Sequence, residues 1–314
     1  MENNSEATEF ILVGLTSDPK LQIPLFITFL IIYFLTLVWN LGMILLVLLD
    51  SRLHTPMYLF LSNLSLADIG YSSAVTPRVM TGLLTGVHVI SFSDCATHFF
   101  FFGFFAIIES NLLVVMAYDR YAAVCRPLHY NTLVTTKVCA FLCLGCYVLA
   151  LLDECIHTWN IFRLSFCRSN VIDHFFCDIP PLMAITCSDI HGAEIITFFI
   201  VGCNAFFSLT VILSSYVLIF ATILRMRSAE GRKRPFSPCA PPLTVVSSLY
   251  GTITFAYLKP SSGHSMDLDK LASMFYSIVL PMLNPLVYSV RNNEVKSAFI
   301  KVIGKAKSSI GFFF

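Results

Sequence analysis

The chain has 314 residues, 56% of them hydrophobic and only 12% charged, with a net charge of +1 and a mean hydropathy of +0.77. So apolar a composition excludes an ordinary soluble domain and puts most of the chain inside a lipid bilayer, with no nucleic-acid partner to expect.

Residues 1–22 read as an extracellular N-terminal segment carrying the glycosylation sequon Asn3-Asn4-Ser5. It has no basic leader followed by an apolar core, so the first span is expected to serve as the targeting signal. Seven apolar runs follow, at 23–49, 57–80, 96–118, 138–157, 195–224, 236–258 and 271–290. Each is close to the roughly 20 residues that a helix needs to cross the hydrocarbon core while satisfying its own backbone. The period-2 alternation of a membrane barrel is missing, so the fold class is an all-α membrane protein, a seven-helix bundle over 23–290. A second sequon, Asn63-Leu64-Ser65, falls inside span 2 and is rejected.

Of the 20 basic residues, 14 fall on one side of these spans: Arg52 in the first loop, Arg120, Arg126 and Lys137 around the second, Arg225 to Arg234 in the third, and five in the tail. That side is cytoplasmic, so the N-terminus is outside. Residues 291–314 read as a cytoplasmic tail opened by an amphipathic helix 8. Val295, Ala298, Phe299, Val302 and Ile303 share one face, and Lys296, Lys301 and Lys305 are available to lipid phosphates.

Ionisable groups at membrane depth are costly, so they mark candidate function. Asp68 in span 2 and Glu109 in span 3, with Asn40 and Asn284 in company, can share a proton or coordinate a small cation. A sodium-like ion is the favoured reading, and a hydrogen-bonded network with one neutral acid is the alternative. Pro281 and Pro285, in "PMLNPLVY", each remove a backbone donor and favour a kink in span 7. Asp119-Arg120-Tyr121 lies at the inner end of span 3 and Tyr216 near the inner end of span 5, which suggests a cytoplasmic face that can rearrange. There Arg120 is expected to pair with Asp119 at rest and to turn to another partner when the helices separate.

Helical spacing puts Phe99, Phe102, Gly103, Ala106 and Ser110 on one face of span 3. With Asn204, Ile253, Thr254, Tyr257, Met274 and Ser277 they would enclose a mostly apolar cavity suited to a small hydrophobic ligand. His98, Glu154 and His157, near the outer ends of spans 3 and 4, read as solvated boundary residues, with a role as polar selectors as the alternative. Cys95, Cys167, Cys177 and Cys187 fall on the oxidising side, and spacing leaves their pairing open. Cys139, Cys143, Cys146 and Cys155 read as small apolar fillers of span 4.

The ordered set "LHTPMYLFLSNLSLADIG", "MAYDRYAAVCRPLHY", Ser215-Tyr216, "SLYGT" and "PMLNPLVYSVRNNEVK" resembles the odorant (olfactory) receptors of the rhodopsin-like G-protein-coupled class, over nearly the whole chain. The resemblance implies a receptor for small volatile molecules that activates a stimulatory heterotrimeric G protein of olfactory neurons and raises cyclic AMP, not an enzyme. It implies cation-site acids at Asp68 and Glu109, a G-protein microswitch at Asp119, Arg120 and Tyr121, and a hinge at Asn284, Pro285 and Tyr288. It puts Tyr250 at the floor of the ligand pocket. It also pairs Cys95 with Cys177 and Cys167 with Cys187.

Two features depart from the family pattern. Trp39 stands where members usually carry Gly, and span 6 opens with "RPFSPCAPPL", so its helix is expected to start near Pro241. The alternative functions are therefore a same-fold receptor for a non-odorant small molecule outside the olfactory epithelium, or a receptor whose coupling is impaired by Pro238, Pro241 and Pro242. A transporter would show inverted repeats, a retinal protein a lysine within span 7, and a protease a nucleophile-base pair or metal motif; none is present.

Overall fold

The computed structural model describes residues 8–16, 18–167, 169–225, 240–257, 266–290 and 295–301. Seven long helices dominate: α1 Pro19–Leu49, α2 Pro56–Thr85, α3 Phe92–Cys125, α4 Thr136–Phe162, α5 His191–Leu224, α6 Ala240–Tyr257, and α7, which runs through Met266–Met274, a π turn at Phe275–Val279, and Leu280–Val290. Most of them extend beyond the expected spans, because capped polar turns continue a helix past the apolar stretch that hydropathy detects. Asp18 accepts from the Lys20 amide at 3.0 Å before α1, and Ser91 Oγ accepts from the Asp94 amide at 3.0 Å before α3. Gly86 ends α2 in the left-handed conformation at φ +67°, a backbone that side chains rarely adopt.

Helix α3 is central, packing against α2, α4, α5 and α6, while α7 closes the bundle against α1, α2 and α6. Bulky apolar side chains such as Phe141, Phe198 and Phe206 point outward, whereas Asn40, Asp68, Glu109 and Asn284 are buried among the helices. That inversion suits a lipid solvent, where interhelical packing and internal polar contacts hold a bundle together. Among the described residues, α1, α3, α4, α5 and Lys270–Tyr288 of α7 are long and apolar enough to cross a membrane by themselves. Helix α2 falls short of that measure because it carries Asp68, Arg78 and several serines, most of them turned toward its neighbours.

The extracellular end holds an element that helical periodicity does not reveal. Strand β1 (Glu9–Leu12) lies between β2 (Val89–Ser91) and β3 (Val171–Ile172). It is antiparallel to β2, with Phe10 opposite Ile90, and parallel to β3, with Ile11 opposite Val171. Phe10, Leu12, Ile90 and Ile172 then bury one sheet face against Phe99, Ile161 and Phe166. Disulfides join Cys95 to Cys177 and Cys167 to Cys187, fastening the loop that carries β3 to the top of α3. Lys270 of α7 pairs with Asp173 of the same loop at 2.8 Å.

Candidate functional site

A cavity of about 180 Å³ opens beneath this sheet, among α3, α4, α5, α6, α7 and the disulfide-held loop. Phe99, Phe102, Gly103, Ala106, Ser110, Asn204 and Tyr250, all expected from the sequence, line it. Ser110 Oγ and the Tyr250 hydroxyl stand 2.7 Å apart, tying α3 to α6 at its floor. The side chains of Ile253, Thr254 and Tyr257 lie outside the described residues.

Met274 and Ser277 do not line the cavity; Tyr276 does. Tyr276 and Ser277 lie in a π turn, Phe275–Val279, whose extra residue per turn breaks a face assigned at 3.6 residues per turn; Met274 precedes it. Ser277 instead donates to the Ser273 carbonyl at 2.6 Å, within its own helix.

On the polar side of the cavity, sequence reasoning named Glu154 and His157 only as the alternative reading and missed Asp153 and Asp178. Asp153, Glu154 and His157 of α4 and Asp178 of the loop line it. Glu154 and His157 are buried rather than solvated boundary residues, because α4 continues to Phe162, more than a turn beyond the expected end. His98 stands apart from the lining, its ring centroid 6.1 Å from that of Phe176. The adjacent acids Asp153-Glu154 inside an apolar span were the signal that could have found this side. Asn204 donates to Asp153 Oδ2 at 3.0 Å, Thr158 to Glu154 Oε1 at 3.1 Å, and Tyr276 to Asp178 Oδ2 at 3.4 Å. Gly103 is needed for close approach, since a Cβ there would collide with the Glu154 carboxylate.

Below the cavity lies a second polar group. The Asn284 amide donates at 2.9 Å to Asp68 Oδ1 and at 2.9 Å to Glu109 Oε1, using both of its hydrogens. Asp68 Oδ2, Glu109 Oε2, Asn284 Oδ1 and Asn40 Oδ1 are buried without a hydrogen-bond partner. Asn40 donates to the Pro281 carbonyl at 3.0 Å. That carbonyl lacks its usual helical partner because Pro285, four residues on, has no N–H, so the proline and the asparagine of α1 complete each other.

At the inner end, Asp119 accepts from the Tyr130 hydroxyl at 2.8 Å, and no ion pair joins it to Arg120 among the described residues. The expected Asp119–Arg120 pair is thereby corrected, since consecutive helical residues point away from each other. Arg120 and Tyr121 are half-buried, and Tyr216 and Tyr288 are buried on α5 and α7. Cys125 Sγ and Thr222 Oγ1, 3.3 Å apart, join α3 to α5 just below. Pro241 and Pro242 fall in the first described turn of α6, where a missing N–H is tolerated; Pro235 and Pro238 lie outside the described residues, as does Asn3. Of the expected tail face, Val295 and Ala298 are buried and Phe299 is exposed, while Val302, Ile303 and Lys305 lie outside the described residues. Lys301 reaches back to Asp50 at 3.4 Å, so this lysine has a protein partner besides any lipid phosphate.

Comparison with known proteins follows the same lines. The family model described as "Olfactory receptor" matches residues 29–306. Human olfactory receptor 5B12 is 65% identical over 314 residues, covering 100% of both chains. Mouse olfactory receptor 5B21 is 58% identical over 97% of this chain and 96% of its own. Among solved structures, squid rhodopsin aligns with a TM-score of 0.72 at 16% identity, covering 91% of this chain and 81% of that one, which speaks for the fold.

Proposed function

The chain belongs to the olfactory receptor family, and from that premise we propose that its cavity takes small, mostly apolar volatile ligands and that its inner face activates a stimulatory olfactory heterotrimeric G protein, raising cyclic AMP. It is an odorant receptor of the seven-helix G-protein-coupled type and not an enzyme. The observation that carries the ligand reading is the cavity itself, walled by Phe99, Phe102, Ala106 and Tyr250. Its 180 Å³ compares with the cavity of about 150 Å³ that holds a benzene molecule, so a single-ring ligand fits.

The direct tie from Ser110 to Tyr250 supports a transmission route, since a ligand on the cavity floor bears on α3 and α6 together. The half-buried Arg120 stands at the inner end of α3, beside an Asp119 already engaged by Tyr130, which leaves its guanidinium for a partner entering between the helices. The disulfides and sheet lie at one end of the bundle and Arg120, Arg126 and Lys137 at the other, which supports an extracellular N-terminus and a cytoplasmic tail in the plasma membrane.

Asp68 and Glu109 fit a bound sodium ion. Each keeps one buried oxygen without a partner beside the free carbonyl oxygen of Asn284, and a hard cation takes oxygen ligands. Such an ion would offset the repulsion between the two carboxylates.

The experiment is cyclic AMP in cells expressing the olfactory G protein, across a panel of volatile compounds, with surface staining and Arg120→Ala alongside. A dose-dependent signal that disappears in the variant while surface display persists supports the reading. A signal that survives Arg120→Ala sinks the assigned switch.

A further inference from the structure

The upper cavity holds more acid than an apolar ligand needs. Glu109, Asp153, Glu154 and Asp178 all line it, and among the described residues no Lys or Arg does. The nearby ammonium of Lys270 is held by Asp173, outside the lining. Glu154 is 3% exposed; its Oε1 accepts from Thr158, and its Oε2 leans over Gly103, the one residue type that leaves it room. His157, one turn further along α4, is 4% exposed and lines the same cavity with its Nδ1 unpartnered. A buried ring nitrogen without a partner is a cost that a bound hydrogen-bonding group removes.

We infer that this side of the cavity, Asp153, Glu154 and His157 of α4, is a recognition pole for a protonated amine carried on a single-ring apolar body. The inference rests on the odorant-receptor reading and narrows its ligand class. An ammonium brings three donors, and the pole offers carboxylate and imidazole acceptors on adjacent turns of one helix. A ligand carboxylate would meet these acid oxygens with no Lys or Arg of the described lining to pair with it, which disfavours it. The acids are spread around the cavity, and among the described residues no three His, Cys, Asp or Glu side chains are grouped to hold a metal ion. Aromatic walls from Phe99, Phe102 and Tyr276 supply the rest of the contact, and rings of this kind also tolerate a nearby cation.

The test compares three probes of one skeleton, benzylamine, benzyl alcohol and benzoate, on the full-length receptor. Binding is read by ligand-induced thermal shift of the detergent-solubilised protein and, separately, by cyclic AMP in cells. Benzylamine is expected to bind at least about tenfold more tightly than benzyl alcohol, with benzoate weakest, as for a charge-assisted bond. Glu154→Gln and Asp153→Asn keep shape and remove charge; each should cut benzylamine affinity by about tenfold and leave benzyl alcohol within about threefold. Equal binding of amine and alcohol, preference for benzoate, absence of any benzylamine shift, or variants that treat amine and alcohol alike would each overturn the inference. Benzylamine binding without cyclic AMP supports the amine pole and counts against the transducer reading, so the two can fail separately.

Discussion

Two acidic groups lie one above the other in this bundle and are handled in opposite ways. In the lower one, Asp68 and Glu109 share the two hydrogens of a single amide, Asn284, and only Glu109 also borders the cavity, at its floor. In the upper one, Asp153 and Glu154 each have one side-chain donor, Asn204 and Thr158, and face a cavity. The difference teaches that burial alone does not define a binding site: what matters is whether the protein itself fills the space in front of the polar atom. The lower group is joined to the helix framework and suits a small ion, whereas the upper one has room for an organic molecule.

The largest expected effect would come from breaking the lower group. Asn284→Ala removes both donors from buried carboxylates and should cost about 3 kcal/mol, read as thermal stability of the solubilised receptor. A loss under about 1 kcal/mol would mean that the acids are satisfied by something other than Asn284.

His174, in the loop above the cavity, is buried like the lower group but can titrate. Burial, reinforced by the nearby Lys270, lowers its pKa from 6.5 to about 4. Its unfolded form therefore binds protons between pH 6.5 and about 4 while the folded form does not. Stability is complete above that window and falls as pH drops through it, by about 1.4 kcal/mol at pH 5.5. A thermal-melt pH series should show this decline, and His174→Phe should flatten it; an unchanged slope in the variant assigns the decline elsewhere.

In the upper group, Asn204→Ala should cost only about 1 kcal/mol, because the cavity lets a water take the place of the lost donor. A cost equal to that of Asn284→Ala would erase the contrast between the two groups. The smallest effect is expected at the inner boundary. There Lys301 stands 3.4 Å from Asp50 with its own side chain 47% exposed, and Lys301→Ala should cost less than about 0.5 kcal/mol. A larger loss would show that the lysine does more than form a surface pair.

Much of the bundle was legible because its causes are local. Runs of about 20 apolar residues have one economical form in a bilayer, the helix. The alternation of small and aromatic residues from Phe99 to Ser110 likewise marks one face of α3 from spacing alone. Where the reading slipped, a non-local or backbone effect intervened. The π turn in α7 carries Tyr276 in the lining and leaves Ser277 out of it, and no side-chain pattern records an extra residue in a turn. The reach of α4 to Phe162 buried Glu154 and His157, because the loop and α5 cover them from outside the helix. Tyr130 took the hydrogen bond of Asp119 because the second inner loop folds back against α3.

By itself, then, the sequence determined the membrane setting, the helical class, the family and the residues that face one another along α3, since hydropathy, periodicity and ordered motifs are properties of the chain read one segment at a time. Only the tertiary structure decided which polar atoms are saturated and which face open space. That depends on contacts between residues far apart in the chain, such as Asn284 with Asp68 and Glu109, Asn40 with the carbonyl freed by Pro285, and strand β1 between two loops. Such contacts follow from how whole helices are placed, which no single segment encodes.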